Sequence, residues 1–224
     1  MEIVEAIRSR KSIRGYKPDP VPRHILREIL EIATRAPSGL NMQPWEITVV
    51  TGKALDNIRK ANIEKLSSGD VLRSAGPPVV LEGKYRERQI GLAVQLYQAM
   101  GIVEQDRAGR AWWGQRGFRF FDAPAAFIIS VDKSLGEFGG LLDIGALMQT
   151  ICLTALSYGL GTCIEDQGIR FPEILRKFAG IPESKRIVIA IAIGYPDPDF
   201  PTNKVQSQRE KLENVVTWCD GASQ

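Results

Sequence analysis

Seven consecutive residues, Ile187 to Ile193, carry no polar side chain and are mostly β-branched. Charged Lys185-Arg186 precedes them and Gly194-Tyr195-Pro196 follows, so Ile187–Tyr195 reads as a strand. A strand that does not alternate with polar residues has both faces covered, which predicts helices above and below a sheet. Trp45–Thr51 and Ala125–Val131 read as further strands, and Gly161–Glu165 as a short one. Apolar residues at helical spacing predict helices over Glu2–Arg10, Lys53–Leu66, Arg86–Met100 and Leu141–Tyr158. Another follows Pro22, with Ile25, Leu26, Ile29, Leu30 and Ala33 on one face, and Gly76-Pro77-Pro78 breaks the middle of the chain. The fold class is α+β, and at 224 residues a single domain spanning 1–224 is the expectation. Pro196–Asn203 is linker-like and introduces a polar C-terminal arm.

Composition removes several function classes. A net charge of +3, from 29 basic and 26 acidic residues, is too small to imply a nucleic-acid or membrane partner. With His24 as the only histidine, imidazole metal sites and Ser-His-Asp triads are poor explanations of activity. Cys152, Cys163 and Cys219 are an odd, widely spaced set that fits reduced thiols, and Cys163 reads as a small apolar filler. No signal peptide or membrane span is read, so a cytoplasmic protein is expected. Any chemistry then belongs to a bound cofactor.

Two segments could hold one. Arg10, Lys11, Ser12 and Arg14 form a basic turn at the end of the first helix. A guanidinium fork and a hydroxyl suit a phosphate or the polar edge of a heterocycle, although a solvated basic cluster at a helix C-terminus explains the same residues. The loop Pro37-Ser38-Gly39-Leu40-Asn41-Met42-Gln43 offers a hydroxyl, two amides and a glycine permitting close backbone approach. Its plain reading is a polar loop stapled to the core by Trp45.

Together, Arg10-x-Ser12-x-Arg14 and Ala36-Pro37-Ser38-Gly39-x-Asn41-x-Gln43-Pro44-Trp45 resemble the FMN-dependent nitroreductase family. The likeness resumes at Gly159-Leu160-Gly161-Thr162-Cys163-Ile164-Glu165, at Gly194-Tyr195-Pro196, and at Arg209-x-x-Leu212-Glu213-x-Val215-Val216-x-Trp218. It implies a three-layer sandwich around a mainly antiparallel sheet, and a homodimer that exchanges its C-terminal arms, about residues 196–224. It further implies FMN at the subunit interface, reduced by NADH or NADPH and reoxidised by a nitroaromatic or quinone. Reductive dehalogenation, heterocycle oxidation, flavin fragmentation or plain flavin binding are the alternatives within the fold.

The resemblance assigns Arg10, Lys11, Ser12 and Arg14 to the FMN phosphate and pyrimidine edge. Pro37, Ser38, Gly39 and Asn41 would approach from the partner subunit, Ile164, Glu165 and Asp166 would offer backbone contacts, and Arg209 would reach the phosphate. Ser207 stands where the family often has a lysine, and Val71-Leu72-Arg73 has no secure counterpart. Trp112 and Trp113, within an aromatic segment that also holds Tyr85, Phe118, Phe120 and Phe121, could cap a flat substrate, though packing explains each singly. No side-chain acid or base is assigned. Gly159-x-Gly161 lacks the third glycine of a dinucleotide fingerprint and precedes a strand, so a Rossmann site is not expected.

Overall fold

In a computed structural model of the chain, residues 2–68 and 80–219 are described. The apolar run lies in β4 (Lys185–Gly194), an inner strand of a four-stranded sheet completed by β1 (Glu46–Thr51), β2 (Ala125–Asp132) and β3 (Gly161–Glu165). The order is β1-β2-β4-β3 and every pairing is antiparallel. Among the described residues there are seven α-helices: α1 (Ile3–Ser9), α2 (Arg23–Ala33), α3 (Gly52–Ser67), α4 (Gly83–Ala99), α5 (Arg107–Phe118), α6 (Leu141–Ser157) and α7 (Pro172–Ala179). None is long and apolar enough to cross a membrane.

The inner strands explain why no polar alternation was visible. Phe127, Ile129, Ile191 and Ile193 face one core with Leu26 and Ile29 of α2 and Leu147 and Ile151 of α6. Their neighbours Ala126, Ile128, Ala190 and Ala192 face a second core with Leu55 and Ile58 of α3, Phe120, Phe171 and Leu175. The alternation along β4 is therefore of size: isoleucines meet helices on one side, and alanines leave room for phenylalanine rings on the other. Each fully buried Ile or Phe contributes about 1.5–3 kcal/mol.

The expected strands and the helices α1, α2, α3, α4 and α6 are present, with ends shifted by a few residues. Two helices escaped the sequence reading. α5 contains Gly109, Gly114 and Gly117, each costing about 1 kcal/mol against alanine, which blurs its helical signal. Its start is fixed by Asp106, whose carboxylate accepts from the Gly109 N–H at 2.8 Å. α7 is only eight residues long, opening on Pro172 and closing on Gly180 at φ 68°. The expected break at Gly76-Pro77-Pro78 and the Val71-Leu72-Arg73 segment lie outside the described residues.

Candidate functional site

The basic turn leaves α1 at Arg10 and lies along the outer edge of β3. Ser12 bridges Thr162 in parallel, and the Ile13 N–H donates to the Thr162 carbonyl at 2.9 Å. Ile13 is buried where Gly161 has no side chain; a β-carbon there would come within 2.4 Å of Ile13 Cγ1. This close approach accounts for Gly161, while Gly159 turns the chain at φ 68°.

Asn203 then clamps the turn. Its Oδ1 accepts from the Arg14 and Gly15 N–H groups at 2.8 and 3.2 Å, and its Nδ2 donates to the Gly15 and Asp197 carbonyls at 2.7 and 2.9 Å. Gly15 is required because a β-carbon would lie 2.0 Å from the Phe200 ring. From below, Arg116 donates to the Arg14 and Phe121 carbonyls at 2.8 and 3.1 Å and pairs with Asp122 at 3.0 Å. Its guanidinium is stacked by Trp112 and Phe200, at 5.2 and 4.7 Å from their ring centres. The Pro196–Asn203 stretch, expected to be linker-like, is thus packed on the body, with Thr202 and Asn203 buried.

Arg10, Lys11 and Arg14 are each partly buried, and among the described residues none pairs with a carboxylate. Three partly buried cations and one hydroxyl within five residues could receive an anion.

At the end of β3 the side chains alternate. Ile164 points outward at 38% exposure, and Glu165 points inward at 7%. Glu165 Oε2 accepts from the Gly168 N–H at 2.7 Å, while Oε1 has no partner. Burial, reinforced by Asp166, pushes its carboxyl up to about 8. Burial also pushes the Cys163 thiol up to about 11, so it is uncharged filler in the second core, as expected.

The Ser38 loop lies elsewhere. Leu40, Asn41 and Gln43 adopt positive φ of 52°, 56° and 48°, a conformation L-residues seldom take. Ser38 Oγ accepts from the Gln43 N–H at 2.9 Å, and Asp143 at the start of α6 accepts from the Gly39 N–H at 3.0 Å. Trp45 is buried in the first core, as the staple reading required. The basic turn sits near the other end of α6, beside Cys152 and β3. From Asp143 to Cys152 the helix rises about 14 Å at about 1.5 Å per residue. Within one chain the Ser38 loop and the basic turn therefore sit at different points along α6. Around the loop, Leu40, Met42, Phe138 and Leu142 are exposed, Leu142 by 92%.

Arg209 is exposed and, among the described residues, hydrogen-bonds only to Ser207 and Gln208 of its own segment. Its neighbour Glu210 pairs with Arg88 of α4. Trp112 is 41% exposed and its ring lies 6.3 Å from that of Trp113, whereas Phe118, Phe120 and Phe121 are core residues. Three important side chains were not read from the sequence: Asn203, Arg116 and the carboxyl of Glu165. The run of prolines with Phe200 that precedes Asn203 was the one local sign of the first.

The nitroreductase family model matches residues 7–195. The chain is 36% identical over 214 residues to 4-nitrobenzoate reductase of Pseudomonas putida, covering 94% of this chain and 92% of that protein. It is 31% identical over 219 residues to chloronitrobenzene nitroreductase of Comamonas testosteroni, covering 96% of each. The crystal structure of the FMN and NADPH-dependent nitroreductase NfnB from Sphigopyxis sp. strain HMH superposes with a TM-score of 0.90 at 30% identity, covering 98% of this chain and 99% of that one. NfnB from Mycobacterium smegmatis in complex with NADPH gives 0.89 at 25% identity, covering 96% and 97%. With its sheet order, its edge-bound basic turn and these likenesses, the chain belongs to the nitroreductase family.

Proposed function

We propose that the protein is an FMN-dependent oxidoreductase that uses NADH or NADPH to reduce a flat, electron-poor acceptor, nitroaromatic or quinone, in a ping-pong cycle. The observation that carries this is the set of cations beside the β3 edge that has no carboxylate partner among the described residues, in a chain whose relatives are nitroreductases. Those names do not favour the other reactions of the fold. Two relatives are 4-nitrobenzoate reductases, which makes 4-nitrobenzoate the first acceptor to try.

The residues fit the cofactor. Arg10, Lys11, Ser12 and Arg14 would hold its phosphate and pyrimidine edge, with Arg209 adding a further cation. Ile164, Glu165 and Asp166 would present backbone groups to the ring. When bound, FMN supplies a ring that accepts hydride and passes it on. The chain supplies orientation, positive charge where negative charge develops, and shelter from water. Trp112 and Trp113 would flank the acceptor.

Pro37, Ser38, Gly39 and Asn41 would come from the partner subunit of a cytoplasmic homodimer. Support comes from the separation of the two motifs along α6 and from the exposed apolar patch around the loop. β1 is an edge strand beside a groove of about 760 Å³ lined by Val21, Leu26, Leu30, Val49 and Pro124. The arm beyond residue 205 exposes Leu212, Val215 and Trp218, and we place the partner's arm in this groove.

The test is the absorbance spectrum of the purified protein, then rapid mixing with NADH or NADPH and afterwards with 4-nitrobenzoate. A flavin band that bleaches with a nicotinamide and returns with the acceptor is expected. A protein that stays colourless after addition of FMN overturns the proposal.

A further inference from the structure

Among the described residues, Glu165 is the one buried carboxyl, and neither an ion pair nor a full set of hydrogen bonds explains it. At 7% exposure its Oε2 accepts from Gly168, the Gln167 backbone also favours the ionised form, and Oε1 has no hydrogen-bond partner. The enclosure is tight: a β-carbon on Gly168 would sit 2.6 Å from Oε1 and 2.6 Å from the Phe120 ring. Ionisable groups around it come from three places. Asp166 adds negative charge from its own turn. Cys163 of the same strand, and Tyr16 of the segment that follows the basic turn, are both held protonated by burial. Arg14 acts on Tyr16 and Cys163, yet among the described residues no cation pairs with Glu165. The backbone of this residue also belongs to the segment assigned above to the cofactor ring.

We propose that Glu165 is a redox-linked positioning acid: it takes up a proton when the cofactor is reduced and releases it when the cofactor is reoxidised. This rests on the FMN reading above. The chemistry balances simply. The nicotinamide delivers two electrons and one proton as hydride, and negative charge grows on the ring. That charge raises the affinity of the neighbouring carboxylate for a proton, which enters from solvent and forms an O–H bond on Glu165. Reoxidation returns the electrons and hydride-derived hydrogen to the acceptor, and the carboxyl proton to solvent. Below the titration point of the acid, at about 8, the group is already neutral and no exchange occurs. Above it, an ionised Glu165 opposes reduction.

Two measurements on the FMN-loaded protein test this. Infrared difference spectra between oxidised and reduced protein at about pH 8.5 are expected to gain a protonated-carboxyl band on reduction that is absent at about pH 6. Glu165→Gln is expected to lack the band. The midpoint potential is expected to fall more steeply with pH above about 8 in the native protein, and with one constant slope in Glu165→Gln. A native protein with neither band nor change of slope, while still retaining FMN, overturns the linkage and leaves the cofactor assignment standing. A protein that never retains FMN overturns both. The infrared result on the native chain stands even where the variant folds poorly.

Discussion

The basic turn and the Ser38 loop belong to the same proposed site, yet they are built in opposite ways. The turn is complete within one chain, with Asn203 above it, Arg116 below it and β3 along its edge. The loop projects into solvent with strained backbone, held by Ser38, by one bond from Asp143 and by the anchorage of Pro44 and Trp45. The turn answers its own backbone needs and leaves only charge unsatisfied; the loop leaves apolar surface unsatisfied. A charge deficit calls for a small anion, and an apolar deficit calls for another protein surface. The contrast predicts that damage to the turn is independent of protein concentration and damage to the loop is not.

The largest effect is expected from Asn203→Ala, which strips partners from two N–H groups and two carbonyls around Gly15. Unfolding in urea should show a loss of about 3–5 kcal/mol at every protein concentration, with FMN retention lost as well. An intact turn in that variant would break the contrast at its strongest point. Next comes Glu165. Its carboxyl titrates at about 8 when folded against an ordinary 4.5, so the unfolded chain loses the proton first. The group's contribution is complete below pH 4.5 and is lost as pH rises to about 8, on the order of a few kcal/mol. Glu165→Gln should flatten that part of the stability curve.

Arg14→Ala removes charge and leaves the clamp on its backbone, so folding should be unchanged while FMN affinity falls about 10- to 100-fold, read by flavin fluorescence. Leu142→Asp places a charge in the exposed patch and should weaken dimerisation at least about tenfold in sedimentation, making FMN retention depend on protein concentration. The smallest change is expected from Asp143→Ala, which frees the Gly39 N–H at an exposed site. A shift of about 1 kcal/mol or less, with a few-fold weaker FMN binding, is the expected outcome.

The sheet was legible because burial on both faces leaves an unmistakable run of apolar residues, and α6 because it is long and largely apolar. α5 was not, since its glycines weaken helix propensity and its role depends on Arg116 reaching 102 residues back to Arg14. The same limit hid Asn203. Periodicity reports what a residue does to its neighbours in sequence, and a buried amide acting across 189 residues leaves no periodic trace. The basic turn and the Ser38 loop were legible as motifs, but their separation along α6 emerged only in three dimensions. Glu165 was placed at the site for its backbone; nothing in a strand of five residues announces which carboxyl will be shut away from water.

The clamp at Asn203 also sets a schedule for biosynthesis. Residues 10–15 leave the ribosome long before the amide that shapes them, which is translated 188 residues after Gly15. Until then the cradle has no lid, and a nascent chain has nothing with which to retain a nucleotide. On the proposed assignment, FMN loading would follow synthesis of that amide, and a chain interrupted before it emerges would keep its cationic motif without the clamp that shapes it.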